Sequence, residues 1–409
     1  MTTDTTPSRR DVLRATGGGL AGTALLSAAG TGAALPDGVE TAENLVRVTV
    51  GYERASGRRA TEHLASTVHY DLAFDAMTVS LPEAAISGLL DDPAVRYVER
   101  DVVMEALGET PWGVDRVDAD VAHANGDTGN GADIAIIDTG IDATHGDLAD
   151  NLGEGVAFLG GTQSSEWQDD NGHGTHCAGI ADAVEDGVGV KGVSTEATLH
   201  AVKVLTAPGS GLSSDVARGI EWTADQGYDV GSLSLGSSSR SEAVYDACQY
   251  AHDNGVFLSA AAGNSGSCED CVSYPAANEF TVAVSATDRD DSLADYSSQG
   301  PEVDIAAPGT DIYSTYVGAS YTRLSGTSMA APHVSGAAGQ LMADGTSHTD
   351  AERQLESSAE DVGLSSNEGG AGLLDAAAAL GYDSSDDGLG NIGDGDSGSL
   401  LGGLRDGLL

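Results

Sequence analysis

The chain has 409 residues, with 64 acidic against 18 basic side chains and a formal net charge of −46. That length allows two or three domains and a substantial core, while the charge excludes nucleic acid as a partner, because phosphates would be repelled. Self-repulsion of this size destabilises a compact chain unless salt screens it, and the Debye length falls to about 3 Å at 1 M, so the composition predicts a halophilic protein.

Taken in chain order, the N-terminus reads as an address. Ser8-Arg9-Arg10-Asp11-Val12-Leu13-Arg14 is a twin-arginine pattern, followed by the moderately apolar stretch Ala15–Ala29. Cleavage among the small residues Ser27–Ala34 makes residues 1–34 a signal peptide and the mature protein secreted. The stretch is too short and too rich in glycine for a stable membrane span. Residues 44–106 read strand, helix, strand, strand, helix, strand. Asn44–Val50, Thr67–Phe74, Met77–Leu81 and Val95–Val103 alternate, and Pro82–Leu90 is helical. This is a small split βαβ, ferredoxin-like α+β unit.

From residue 108 to 381 strands and helices alternate. Strands are expected at Asp133–Ile137, Thr198–Leu205, Asp229–Leu235, Val256–Ala262 and Phe280–Ala286. Helices are expected at His173–Val184, Ser213–Gln226, Ser241–Asn254 and Ser328–Ala343. Such alternation implies an α/β fold, a parallel sheet with helices on both faces. Residues 382–409 are Gly, Ser and Asp with little apolar content until Leu400, and read as a flexible acidic tail.

Four motifs in this region carry chemistry. Ile134-Ala135-Ile136-Ile137 ends in Asp138-Thr139-Gly140, which puts a carboxylate at the carboxyl end of a buried strand. Asn171-Gly172-His173-Gly174-Thr175-His176-Cys177-Ala178-Gly179 sets a histidine at a helix start, and Val256–Ala262 runs into Gly263-Asn264-Ser265-Gly266. Gly326-Thr327-Ser328-Met329-Ala330-Ala331-Pro332-His333 places a serine on a turn that opens a helix. A serine needs a base and an oxyanion donor beside it to become a nucleophile. The order Asp, His, Asn, Ser supplies them. His145, His176 and His333 lie in or near the motifs with no evident proton to move and read as structural.

On these motifs the chain resembles the subtilisin-like (subtilase) serine proteases from about Trp112 to about Gly381, and its acidity resembles that of the haloarchaeal members called halolysins. The resemblance implies a subtilisin-like fold and a serine endopeptidase. In it Ser328 attacks the scissile carbonyl, His173 is the base, Asp138 orients His173, and Asn264 with the Ser328 N–H holds the oxyanion. It makes residues 35–107 an inhibitory propeptide, cut near Met104-Glu105-Ala106-Leu107-Gly108 with Leu107 as the P1 residue. It also implies that Gly209-Ser210-Gly211 and Leu233-Ser234-Leu235-Gly236 flank an extended substrate strand. Leu233–Gly236 and Ala261–Gly263 would line the S1 pocket, with Ser273 as its floor. Asp147, Asp186 and the carbonyls of Val188 and Val190 match a structural calcium site. No catalytic metal is implied. The partners are protein and peptide substrates and the chain's own propeptide, and the mature protein is expected to be a monomer.

Cys177 and Cys248 read as buried free thiols. Cys268-Glu269-Asp270-Cys271 reads as a local disulfide in an exported protein, with free thiols as the alternative. Two rival readings remain: a zinc hydrolase using His173, His176 and the Cys268–Cys271 pair, and a catalytically dead binding protein. The first lacks the H-E-x-x-H pattern.

Overall fold

The computed structural model describes residues 45–100, 110–266 and 268–384. The expected signal segment, the expected self-cleavage junction at 104–108 and the residues beyond 384 lie outside the described residues. The chain divides into two compact units, Met1–Met104 and Glu105–Leu409.

In the first unit the elements are β1 (Leu45–Tyr52), α1 (Ala55–Leu64), β2 (Thr67–Leu72), β3 (Ala76–Pro82), α2 (Ile86–Asp91) and β4 (Val95–Arg100). The sheet order is β2-β3-β1-β4 with antiparallel neighbours throughout, the split βαβ arrangement expected. Alternation sends Val48, Val50, Met77, Val79, Leu81 and Val98 into one buried cluster with Leu89 of α2. The expected helix Pro82–Leu90 is a 3₁₀ turn, Glu83–Ala85, followed by α2.

The second unit is built on an eight-stranded sheet. Its strands are β5 (Asp133–Asp138), β6 (Val156–Leu159), β7 (Thr162–Ser164), β8 (Thr198–Lys203), β9 (Val230–Leu233), β10 (Phe257–Ala261), β11 (Val282–Thr287) and β12 (Ile305–Pro308). The order is β12-β11-β10-β9-β5-β8-β6-β7, parallel except for the edge strand β7. Strand order reverses at β5, which lies between β9 and β8. A crevice forms at such a switch point, beyond the carboxyl ends of the strands, and Asp138 is the last residue of β5.

Helices α3 (His173–Asp182), α4 (Ser213–Gln226), α5 (Glu242–Asp253), α6 (Thr327–Ala343) and α7 (His348–Ser358) follow in chain order. The alternation along β5 decides which cover which face. Ile134 and Ile136 enter a core with Cys177, Ala178, Met329, Ala330 and Val334 of α3 and α6. Ala135 and Ile137 face the opposite core with Val216 and Ile220 of α4 and Val244 of α5. A hairpin, β13 (Ile312–Tyr316) and β14 (Ser320–Leu324), precedes α6.

Val156–Leu159 and Ile305–Pro308 are strands beyond those expected. Each is four residues long, and proline ends the second, so neither carries a periodic signal. The expected strand Asp229–Leu235 ends at Leu233. That early end releases Ser234–Gly236 from the ladder. Among the described residues no helix is long and apolar enough to cross a membrane.

Candidate active site

Asp138 is fully buried and its Oδ1 accepts the Thr139 N–H at 2.7 Å. His173, the first residue of α3, brings Nδ1 to 2.8 Å from Asp138 Oδ1 and 3.0 Å from Oδ2. Two features let helix and strand approach so closely. A Cβ at Gly174 would overlap the Gly140 carbonyl, and the Gly174 N–H bonds Thr139 Oγ1 at 2.9 Å. Burial disfavours the His173 imidazolium, but the Asp138 carboxylate, helped by the Cys177 sulfur, outweighs it and holds the pKa well above the ordinary histidine value. With Nδ1 committed to the carboxylate, Nε2 is the nitrogen left to exchange protons.

Ser328 lies in the first turn of α6. Pro332 stands four residues later and has no N–H to return to the Ser328 carbonyl. That carbonyl instead accepts Ser234 Oγ at 2.8 Å and the Cys177 thiol at 3.4 Å. The Ser328 hydroxyl donates to the Ser234 carbonyl at 3.3 Å. The missing N–H thus leaves the serine turn bonded to the segment just after β9. Cys177 Sγ also lies 3.9 Å from His173 Nδ1, and burial pushes its thiol pKa up.

Asn264 follows β10. Its Oδ1 accepts the N–H of Thr327 at 2.9 Å and the Thr327 hydroxyl at 3.1 Å. The oxygen is thereby committed to the start of α6, and the NH2 remains as the donor. A Cβ at Gly326 would come within 3.3 Å of that nitrogen, so glycine keeps the space before it open. An amide NH2 and a helix N-terminus together favour developing negative charge.

A cleft of about 760 Å³ opens beside His173. Gly209, Ser210, Gly211, Ser234, Leu235 and Gly236 line it. Leu233 and Ala261, expected in its walls, are buried at the ends of β9 and β10 and are not among its lining residues. Ser273 donates its N–H to the Ala262 carbonyl at 2.7 Å and crowds Gly263 and Gly236 from behind. The cleft continues past Arg240, Val244, Tyr245 and Tyr274, which the sequence reading did not single out. No motif marks these positions; only their place just after the Leu233–Gly236 segment and Ser273 could have suggested them.

Among the residues expected to hold calcium, Asp147 and Val190 meet directly. Asp147 is buried; its Oδ2 accepts the Val190 N–H at 2.8 Å and its Oδ1 the Tyr321 hydroxyl at 2.9 Å. Asp186 Oδ1 turns onto the Val188 N–H at 2.9 Å. The expected donors, two carboxylates and the Val188 and Val190 carbonyls, are all oxygen, and each Asp147 oxygen keeps a lone pair. The set fits a hard divalent cation.

The zinc alternative finds its groups committed elsewhere. His176 Nε2 faces the carbonyls of Ile312 and Thr322 at 3.1 and 3.2 Å, and Cys268 is joined to Cys271. His145 and His333 likewise meet backbone carbonyls, of Ser320 and Met329. Burial lowers the His176 and His333 pKa values to about 4, so both stay neutral.

The family model described as the subtilase family, peptidase S8, matches residues 129–376. An alkaline protease of Alkalihalobacillus alcalophilus is 43% identical over 306 residues, 74% of this chain and 78% of that protein. Subtilisin Savinase of Lederbergia lenta is 45% identical over 271 residues, 66% of this chain and 98% of the relative. Subtilisin E of Bacillus subtilis is 39% identical over 310 residues, covering 75% and 80%.

Proposed function

Because the chain belongs to the subtilase family of serine endopeptidases, we propose that Ser328, His173, Asp138 and Asn264 carry out its peptide-bond hydrolysis. The observation that carries this reading is the Asp138–His173 contact at 2.8 Å beside the cleft, with the Ser328 turn bonded to the cleft wall at Ser234. Ser328 Oγ exchanges its bond to the Ser234 carbonyl for one to His173 Nε2 and attacks the scissile carbonyl carbon. His173 takes the proton while Asp138 stabilises the imidazolium. The oxyanion is held by the Asn264 NH2 and the Ser328 N–H. Collapse expels the amine, which leaves with the proton from His173, and an acyl-enzyme remains. Water then attacks that ester with His173 again as base, releasing the acid and restoring Ser328.

The substrate strand runs along Gly209–Gly211 and Ser234–Gly236 by main-chain pairing. Side-chain pockets add selectivity, with the S1 walls at Leu233–Gly236 and Ala261–Gly263 and its floor at Ser273. Small, uncharged walls give a roomy, mainly apolar P1 preference. Asp147, Asp186, Val188 and Val190 would hold a structural calcium, which supplies loop rigidity and no chemistry.

The proposal extends to the life of the precursor. Residues 1–34 direct twin-arginine export, and residues 35–107 are a self-cleaved inhibitory propeptide. The compact first unit ending near Met104 supports that division. The acidic mature protein works outside the cell as a monomer, in concentrated salt. A serine-directed phosphonate or sulfonyl fluoride tests the centre. Label on Ser328 with loss of peptide hydrolysis in molar salt is the expected result. Hydrolysis that persists with Ser328 unlabelled, or that a chelator abolishes and zinc restores, would overturn it.

A further inference from the structure

We propose that Lys203 is a positioning residue for the Asp138–His173 pair, an inference that rests on the catalytic reading above. Lys203 is one of two lysines in a chain with 64 acidic residues. The other, Lys191, pairs with the exposed Glu185. Lys203 by contrast is withdrawn from solvent, its side chain 3% exposed. It ends β8 and lies opposite Asp138 in the parallel register.

Its ammonium joins two segments that also meet at the catalytic pair, at the Gly174 N–H bond to Thr139 Oγ1 and at the Asp169 N–H bond to the Ile141 carbonyl. One hydrogen bond goes to the carbonyl of Thr139, and another reaches Asp170 Oδ1 at 2.7 Å. Thr139 is the residue whose N–H fixes Asp138 Oδ1 and whose hydroxyl accepts the Gly174 N–H. Asp170 belongs to the loop that feeds His173. Its neighbour Asp169 fastens that loop, Oδ1 accepting the Asn171 and Gly172 N–H groups and Oδ2 the Thr175 N–H and hydroxyl. A single cation therefore links the peptide unit behind the carboxylate to the segment behind the imidazole.

The chemistry favours lysine here. A buried cation is tolerated only when its donors find partners, and a compact ammonium offers donors in several directions, whereas a planar guanidinium projects further and in one plane. Misplacement of a reacting group by about 1 Å can cost about 10²-fold in rate. Loosening either link should therefore show in turnover. Substrate binding should be spared, since no bond runs from the Lys203 ammonium to Gly209–Gly211 or Ser234–Gly236.

The test compares wild type, Lys203→Met and Asp170→Asn in molar salt, reading kcat, KM, thermal melting and the low-field proton resonance of His173 Nδ1–H. Lys203→Met is expected to lower kcat by about tenfold or more with KM within about twofold, and to shift or broaden that resonance. Asp170→Asn, at a half-exposed carboxylate, is expected to act in the same direction by about threefold. Unchanged kcat, or a fall in melting temperature with the low-field proton unmoved, overturns the proposal. If Lys203→Met does not fold, Asp170→Asn decides alone by the same criteria. A wild type that takes no serine label on Ser328 overturns the catalytic reading and this inference with it. A labelled wild type with unmoved kcat in the folded variants overturns only the role of Lys203.

Discussion

His173 shows how much one neighbour decides. Burial alone would lower the pKa of its imidazole, yet the Asp138 carboxylate reverses the sign and raises the pKa well above 6.5. A base must be unprotonated to work. Hence kcat/KM is expected to fall on acidification through a pH above the ordinary histidine value, which gives an alkaline optimum. Asp138→Asn removes the anion and leaves burial in charge, so the acid limb should move to lower pH while kcat drops by about 10⁴. A pH–rate profile of both proteins at constant salt checks the direction, and an acid limb that stays put would argue against His173 as the base. Asn264→Ala removes one oxyanion donor and should cost about 10²–10³ in kcat, the size known for the same loss in subtilisin.

Helix α3 and strand β5 meet through backbone as much as through side chains. Both His173 and Asp138 depend on the Gly174 backbone lying against Gly140. Gly174→Ala adds a carbon that overlaps the Gly140 carbonyl and comes within 3.2 Å of Asp138 Cβ. Overpacking of this kind costs about 1–3 kcal/mol. It should also separate the imidazole from its carboxylate. Thermal melting is expected to drop by several degrees and kcat by more than tenfold; a variant that matches wild type in both would show that the contact is not needed. Helix α6 makes a similar point from its own sequence. Pro332 frees the Ser328 carbonyl, and Ser234 and Cys177 take it up.

Charge governs the molecule as a whole. A net charge of −46 repels itself at low ionic strength and is screened within about 3 Å at 1 M salt. The melting temperature is therefore expected to rise steeply between 0.1 and 3 M sodium chloride, with loss of circular dichroism signal after dialysis into dilute buffer. A salt-independent melting curve would remove the halophilic reading. Chelation of calcium by EGTA should lower the melting temperature further at fixed salt if Asp147 and the 186–190 loop hold an ion. The expected change lies in stability, since the loop takes no part in the proton transfers.

Much of this protein was legible along the chain. Short apolar runs, each ended by Gly or a polar turn residue, gave β5, β9, β10 and β11 to within two residues at either end. The four site residues stand in motifs whose local composition already says strand end or helix start. What local sequence could not show is contact between segments far apart. The length of β9, and so the release of Ser234–Gly236 into the cleft, depends on where β10 and β5 stop pairing with it. Arg240, Tyr245 and Tyr274 line the cleft only because α5 and the segment after β10 fold beside it. Lys203, read in sequence as one strand residue among others, acquires Thr139 and Asp170 as partners across 64 and 33 residues. Sequence by itself determined which residues carry groups able to act as nucleophile, base and oxyanion donor and the strand ends and helix starts they stand on, because side-chain chemistry, backbone preference and apolar period are local. Tertiary structure decided which of them touch, because burial and hydrogen-bond geometry arise only when the sheet brings distant strand ends together.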